Sequence, residues 1–560
     1  MASISLLFIV LNVLSFLRFV VGQSERKFTL ELSRGRWAPD GVEREMILVN
    51  GQYPPPNLEI WEDDDVVVEV FNGLEEPSSI HFHGIEMRNT PWSDGAPGLS
   101  QRPIPSGHNF TYRWKATQHG SYWYHSHSGE QVEDGLYGAL TIHPRAGTLK
   151  PFSLISESSA GVEALERAER EAQPVLMSDH RHVTGREVWE FTQRASCFPP
   201  RVMAVSYGAD GYYPAMPANI LEGCHATDAL REVIEVQGHS DSGGDENWVA
   251  LHFIGAFHGI SSMVSIDEHP MWVFAVDGGY ITPQLVHAIP IMNGERFSVF
   301  IKADKAGDFA IRIAATMDPQ ILDGYATLRV STPGEQSSGD SSAPYIDAAG
   351  HPTSGDVVIF DPNTSKPFPP SPIPPVADKT FIMYMGNSVP AYLWELNVEP
   401  LLPLQLERET PLLLEPRPPS HHIFETTNDT WVDLVFITHT SPNPPHPIHK
   451  HGVKMHLLGL GYGSWTWASV EEAARDIPGS FNLVDPPVKD SFTSLKVGIN
   501  DRQHTAWLAV RYHVNNPGAW LLHCHVLEHL NGGMQVVLLD GVDAWPEMPE
   551  EYRRLAEGSG

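Results

Sequence analysis

Alternation of apolar and polar residues recurs along most of the chain. Phe28-Thr29-Leu30-Glu31-Leu32, Glu232-Val233-Ile234-Glu235-Val236 and Phe297-Ser298-Val299-Phe300-Ile301 each change face at every residue, the period of a half-buried strand. Val66-Val67-Val68-Glu69-Val70-Phe71 and Trp272-Val273-Phe274-Ala275-Val276 are nearly continuous β-branched and aromatic runs, which predict buried strands. Glycine- and proline-rich turns such as Pro54-Pro55-Pro56 separate them. The pattern predicts an all-β chain in three regions: 27–145, 174–332 and 377–545. Between the first two, residues 146–173 carry apolar positions at a spacing of three around Ala160–Ala168, which predicts a short connecting helix. Residues 333–376 are dense in serine, glycine and proline and read as a long surface linker; the charged tail, 546–560, is expected to fray.

Length agrees with several domains, since 560 residues exceed what one core supports. Leu6–Leu17 is an apolar run followed by Arg18 and small residues near Gly22, so residues 1–22 are expected to be a signal peptide. It is short for a membrane span, and no second long apolar stretch follows, so a secreted or secretory-lumen protein without a stable membrane span is expected. A net charge of −32 argues against nucleic acid as a partner, because phosphate binding needs a basic surface. Asn109, Asn363 and Asn428 open glycosylation sequons. Only three cysteines occur. If Cys524 holds a metal, Cys197 and Cys224 remain either as a disulfide or as two free thiols.

The chemistry concentrates in Leu521–Met534, where His523-Cys524-His525 is followed by His529 and Met534 in an expected loop or bulge. On a strand, His523 and His525 project to one side and Cys524 to the other, so one segment feeds two metal centres. One thiolate and two imidazoles with a weak axial thioether are the ligand set of blue copper. Five His-x-His pairs occur, at 81/83, 125/127, 180/182, 449/451 and 523/525, where the 28 histidines give roughly 1.4 by chance. The pair at 180/182, in a polar setting, is taken as the chance match. The other four supply eight imidazoles, enough for two or three ions where the first and third regions meet. His446 lies at an odd offset from His449, faces the opposite way, and supplies the imidazole missing beside Cys524.

Together these residues resemble the four copper-binding signatures of the multicopper oxidases: His81-Phe82-His83-Gly84, His125-Ser126-His127, His446-Pro447-Ile448-His449-Lys450-His451, and His523-Cys524-His525 with His529 and Met534. The resemblance spans residues 27–545 and includes Trp92-Ser93-Asp94-Gly95. It implies three cupredoxin-like Greek-key β-barrel domains and four copper ions. His81 and His449 would hold type 2 copper. His83, His125, His127, His451, His523 and His525 would hold the type 3 pair. His446, Cys524 and His529 would hold type 1 copper, with Met534 axial. The implied reaction is one-electron oxidation of a donor at type 1, transfer through Cys524 to His523 and His525, and reduction of dioxygen to water. Asp94 matches a family acid that supplies protons.

Met534 as axial ligand stabilises cupric copper and lowers the potential, favouring easily oxidised donors. Asp179, in Leu176-Met177-Ser178-Asp179, resembles a laccase carboxylate that binds the phenol. The resemblance points to a secreted, laccase-like phenol oxidase of the fungal pigment or secondary-metabolite type, acting as a monomer on phenols or naphthols. The alternatives are a metallo-oxidase of ferrous or cuprous ions and a copper-binding cupredoxin protein without turnover.

Overall fold

The computed structural model describes residues 24–194, 232–237, 247–316, 323–331, 340–341, 343–498 and 505–557. Cys197, Cys224 and the expected signal peptide lie outside them. The described residues form three two-sheet sandwiches. In the first, one sheet orders the strands Arg44–Val49, Glu25–Trp37, Asp65–Asn72 and Asn109–Lys115; the other orders Leu58–Trp61, Tyr137–His143, Gly120–Ser126 and Ile80–His83. Val66, Val68 and Val70 alternate inward against Leu30, Tyr112 and Trp114. Each such buried side chain contributes about 1.5–3 kcal/mol by leaving water.

The second sandwich packs a sheet that includes Trp248–Gly255, Arg296–Lys302 and Met271–Val276 against one that includes Gly307–Ala315 and Asp323–Ser331. The predicted helix forms at Ser159–Arg170. Ser158 caps it by accepting from the Gly161 N–H at 3.0 Å, and Arg167 and Arg170 stand in its last turn, where they oppose the helix dipole.

In the third sandwich, Ile423–Glu425, Gln535–Asp540, Gly518–Cys524, Pro447–Lys450 and Ser491–Thr493 form the sheet that carries the metal-type residues. Two apolar clusters lock the domains around it. Ala96 and Leu99 of the first sandwich pack against Leu401, Leu406 and Leu521. Trp123, Ile254 and Leu527 bring all three sandwiches together.

Three expectations are corrected. From residue 343 onward the supposed surface linker packs on the second sandwich, because its apolar residues Ile346 and Phe360 are buried there. The tail is docked rather than frayed as far as Tyr552, on the helix Glu550–Glu557: Met548 and Tyr552 enter the first core, and the Tyr552 hydroxyl donates to the Thr111 carbonyl at 2.8 Å. His529 lies on a short helix, Leu527–Asn531, rather than in a loop. Among the described residues no helix is long and apolar enough to cross a membrane. Asn109 and Asn363 are exposed, and Asn428 is half-buried.

Candidate metal centre

Strand register places the ligands. Ile80–His83 runs antiparallel to Gly120–Ser126 with His81 opposite His125. Pro447–Lys450 runs antiparallel to Gly518–Cys524 with His449 opposite His523 and Ile448 opposite Cys524. Side-chain alternation then sends His449 and His523 to the seam with the first sandwich, and Cys524 into the core of the third.

At that seam eight imidazoles converge. His81 stacks on His451 and His83 on His449, each pair with ring centres 3.8 Å apart. His451 Nε2 lies 3.3 Å from His523 Nε2, and His525 Nε2 lies 3.1 Å from His83 Nδ1. The Nδ1–H groups of His81, His125, His449 and His523 donate to the carbonyls of Asp94, Ser126, Asp490 and Cys524 at 2.7–2.9 Å. A carbonyl only accepts, so the proton sits on Nδ1 and Nε2 presents a lone pair. Burial, with neighbouring imidazoles adding to it, lowers the pKa of His83, His125, His127, His449, His451 and His525 well below the ordinary value, and burial brings His523 to about 4. These seven rings are therefore neutral.

Nε2 of His81, of His125, of His127 and of His449 is buried with no hydrogen-bond partner. Leaving four such acceptors dry costs about 1–3 kcal/mol each. In groups of three (His81, His449 and His451; His81, His83 and His125; His127, His451 and His523) the ligand atoms lie within 4.8 Å of one another, and a cation of borderline softness removes that cost, so the residues fit a copper cluster.

A second cluster lies on the Cys524 side. Its sulfur is 3.6 Å from His446 Nδ1 and 3.4 Å from His529 Nδ1, and the two nitrogens are 3.1 Å apart. His446 donates from Nε2 to the Asn443 side-chain oxygen, which turns Nδ1 toward the sulfur. Burial lowers His446 to about 3 and raises the Cys524 thiol, so this dry pocket stabilises a thiolate only when a cation shares it. Met534 is buried in the same core, and its carbonyl accepts from the Cys524 N–H at 3.0 Å. Trp394 covers His529 with ring centres 3.9 Å apart.

Residues around the imidazole cluster hold it in place. Asp94 follows the 3-10 turn Pro91–Ser93, and its Oδ2 lies 2.9 Å from His451 Nδ1. Gly95, at φ +80°, is required, because a Cβ there would lie 1.9 Å from the Ile80 carbonyl oxygen. Gly294 brings the second sandwich to the cluster: a Cβ would lie 2.8 Å from His83 Cε1. A cavity of about 40 Å³, room for about three waters, reaches His125, His127, His523 and His525 between the sandwiches, with Glu407 on its wall.

Two positioning residues escape the sequence reading, which gave the second region no part near the metals. Arg296 binds both oxygens of Asp490, at 2.8 and 2.6 Å; Asp490 in turn reaches His83 Nε2 at 3.3 Å. A lone arginine on a strand and the pair Lys489-Asp490 carry no spacing signal, so only the domain packing reveals them. Asp179 has another task than the one expected. Its carboxylate accepts from the His258 and Gly259 N–H groups at 2.8 and 2.9 Å, and its side chain is 1% exposed, which leaves no face for a phenol.

Family models described as multicopper oxidase match residues 31–147, 249–332 and 402–544. Laccase abr2 of Aspergillus fumigatus is 38% identical over 573 aligned residues, covering 93% of this chain and 95% of that protein. This chain belongs to the multicopper oxidases. It is a laccase-like member, a copper-dependent oxidoreductase that uses dioxygen. Multicopper oxidase elcG of Phaeosphaeria nodorum is 37% identical over 95% of this oxidase and 93% of its own length. Solved structures agree in fold. The laccase from Botrytis aclada superposes with a TM-score of 0.72 at 22% identity, covering 96% of this chain and 91% of its own. Fet3p, described as a multicopper oxidase that functions in iron import, does so at 0.67 and 19%, covering 96% and 95%. The three sandwiches are thus cupredoxin-like domains.

Proposed function

We propose that this oxidase takes single electrons from electron-rich phenols or naphthols beside His529 and delivers them to dioxygen among the eight seam histidines. Four donors each lose one electron and one proton, and one dioxygen takes up the four electrons and four protons to give two waters. Copper, when bound, would supply the one-electron chemistry: His446, Cys524 and His529, with Met534 in the same core, would hold one ion, His81 and His449 another, and the other six histidines a pair. Cys524 joins the two centres covalently, since its backbone continues directly into His523 and His525. Its burial keeps oxidants and solvent from the sulfur.

The aromatic cover of His529 is the observation that carries the phenol reading. Trp394 lies over the imidazole, and Tyr392, two residues earlier, meets Trp189 edge-on at 5.8 Å. Tyr392 and Trp189 are half-buried and offer flat apolar contact to a flat aromatic donor, while Trp394 is buried against His529. Curated relatives named as laccases support the same donor class. The radicals released would couple, as in oxidative dimerisation of polyketide phenols for pigment or secondary metabolites.

On the oxygen side, Asp94 is hydrogen-bonded to His451, and Glu407 faces the cavity. Burial raises the Glu407 pKa, so its carboxyl keeps a proton at higher pH than a free glutamate and can pass it to water in the cavity. The amino-terminal apolar run and the exposed sequons Asn109 and Asn363 support secretion, and the enzyme is read as a monomer.

Oxygen uptake with a naphthol and ferrous ion in competition tests the donor. The reading expects the naphthol to be consumed first, with ferrous ion slowing it little. Preferential consumption of ferrous ion would replace it with a metallo-oxidase.

A further inference from the structure

The fifth His-x-His pair belongs to neither cluster. His180 and His182 lie between the strand Gln173–Met177 and the helix Gly185–Arg194, on the second sandwich's side of its seam with the first. Arg181, between them, points inward with a side chain only 2% exposed and pairs with Glu133 and Glu528. The two histidines turn the other way, toward Asp40 in the loop between Glu25–Trp37 and Arg44–Val49.

Asp40 stands within reach of both. His182 Nε2 is 2.6 Å from Asp40 Oδ2, and His180 Nε2 is 3.9 Å from Oδ1. His180 Nε2 is buried without a hydrogen-bond partner. The two rings stand 6.0 Å apart at 64°, against 6.1 Å at 61° for His81 and His449, which belong to one ligand group of the seam cluster. The ring spacing and tilt are thus similar, with a carboxylate beside both rings, but the three donor atoms do not all lie within 4.8 Å of one another as those of the seam groups do.

We propose that Asp40, His180 and His182 form a separate site for a divalent ion of the zinc class, clamping the first sandwich to the second. Two imidazoles and a carboxylate are zinc-type donors, and the partial exposure of Asp40 and His182 leaves a fourth position to water. Ligand atoms about 2.0–2.1 Å from zinc lie about 3.3 Å apart in a tetrahedron. Reaching that spacing means rotating the rings so that all three donors, which do not now lie within 4.8 Å of one another, draw together, closing the 3.9 Å His180 gap and opening the 2.6 Å His182 contact. An ion here also fixes Arg181, whose other face holds Glu528, the neighbour of His529. The site does not depend on which donor the oxidase uses.

The test uses the copper-loaded enzyme, dialysed against zinc and then analysed for both metals and for thermal unfolding. Wild type should take up about one zinc per chain beyond its copper and unfold at a higher temperature with zinc present. His180→Ala, His182→Ala and Asp40→Asn should each weaken zinc binding by about tenfold or more and abolish the thermal shift, while copper content and visible spectrum stay unchanged. Cobalt in place of zinc should give the visible bands of a four-coordinate nitrogen and oxygen site in wild type, and lose them in His182→Ala. Zinc uptake equal in wild type and all three variants, or none in wild type, would overturn the proposal.

Discussion

His525 and His83, 442 positions apart in sequence, face each other across the seam between the third and first sandwiches, Nε2 of His525 3.1 Å from Nδ1 of His83. The imidazole cluster therefore exists only while the two domains are docked, and metal affinity becomes docking free energy. Removing copper with a chelator should lower the unfolding temperature. At a thousandfold excess over its dissociation constant, one bound ion contributes about 4.1 kcal/mol. Calorimetry with and without copper reads this. Equal unfolding temperatures would contradict the linkage.

Asp490 should matter for stability as well as for copper. Asp490→Ala leaves the fully buried Arg296 guanidinium with the Asp277 carboxylate at 3.4 Å and the Ser121 and Gly294 carbonyls, and should cost about 3–5 kcal/mol in urea unfolding. Asp490→Asn keeps the shape and should cost less. Either variant should lower the copper held by His83 and His449 about 10–100-fold.

A pH effect follows from Glu133. Burial pushes its pKa up to about 8, since Arg181 is shared with Glu528 while Asp134 and Asp179 add negative charge. The folded carboxyl thus keeps its proton where the unfolded one has lost it. Its contribution to stability is complete below the unfolded value and is lost as pH rises toward 8, by up to about 1.4 kcal/mol per pH unit. Glu133→Gln should flatten that decline, measured as urea midpoints at several pH values across the window.

Glu407→Gln removes the proton-carrying group on the cavity wall and should lower turnover by about tenfold or more, with little change in the spectrum of the Cys524 centre. In wild type, turnover should fall as pH rises through the raised Glu407 pKa, and the variant should lose that limb. An infrared band of a protonated carboxyl that disappears in the variant would identify the group independently of activity.

Much of this was legible in the chain because both strand period and metal ligation are local. His523-Cys524-His525 states its own geometry once it is known to be a strand, and the four paired signatures rise above chance. What stayed hidden depends on packing between distant segments. Arg296 and Asp490 meet only when the second and third sandwiches dock, and Met548 and Tyr552 look like tail residues until the first core receives them. Asp179 misled for the same reason. Its motif resembles a substrate carboxylate, but two backbone amides occupy its oxygens. The pair set aside as chance, His180 and His182, gains meaning from Asp40, some 140 positions away.

The visible spectrum of the copper-loaded enzyme during oxygen uptake tests the central claim most directly. An intense blue thiolate band that bleaches on adding an electron-rich naphthol, returns with oxygen, consumes about four donor electrons per dioxygen and is absent in Cys524→Ser is the predicted result. Bound copper without a blue band would contradict the assignment of Cys524, His446 and His529, and with it the route from donor to dioxygen.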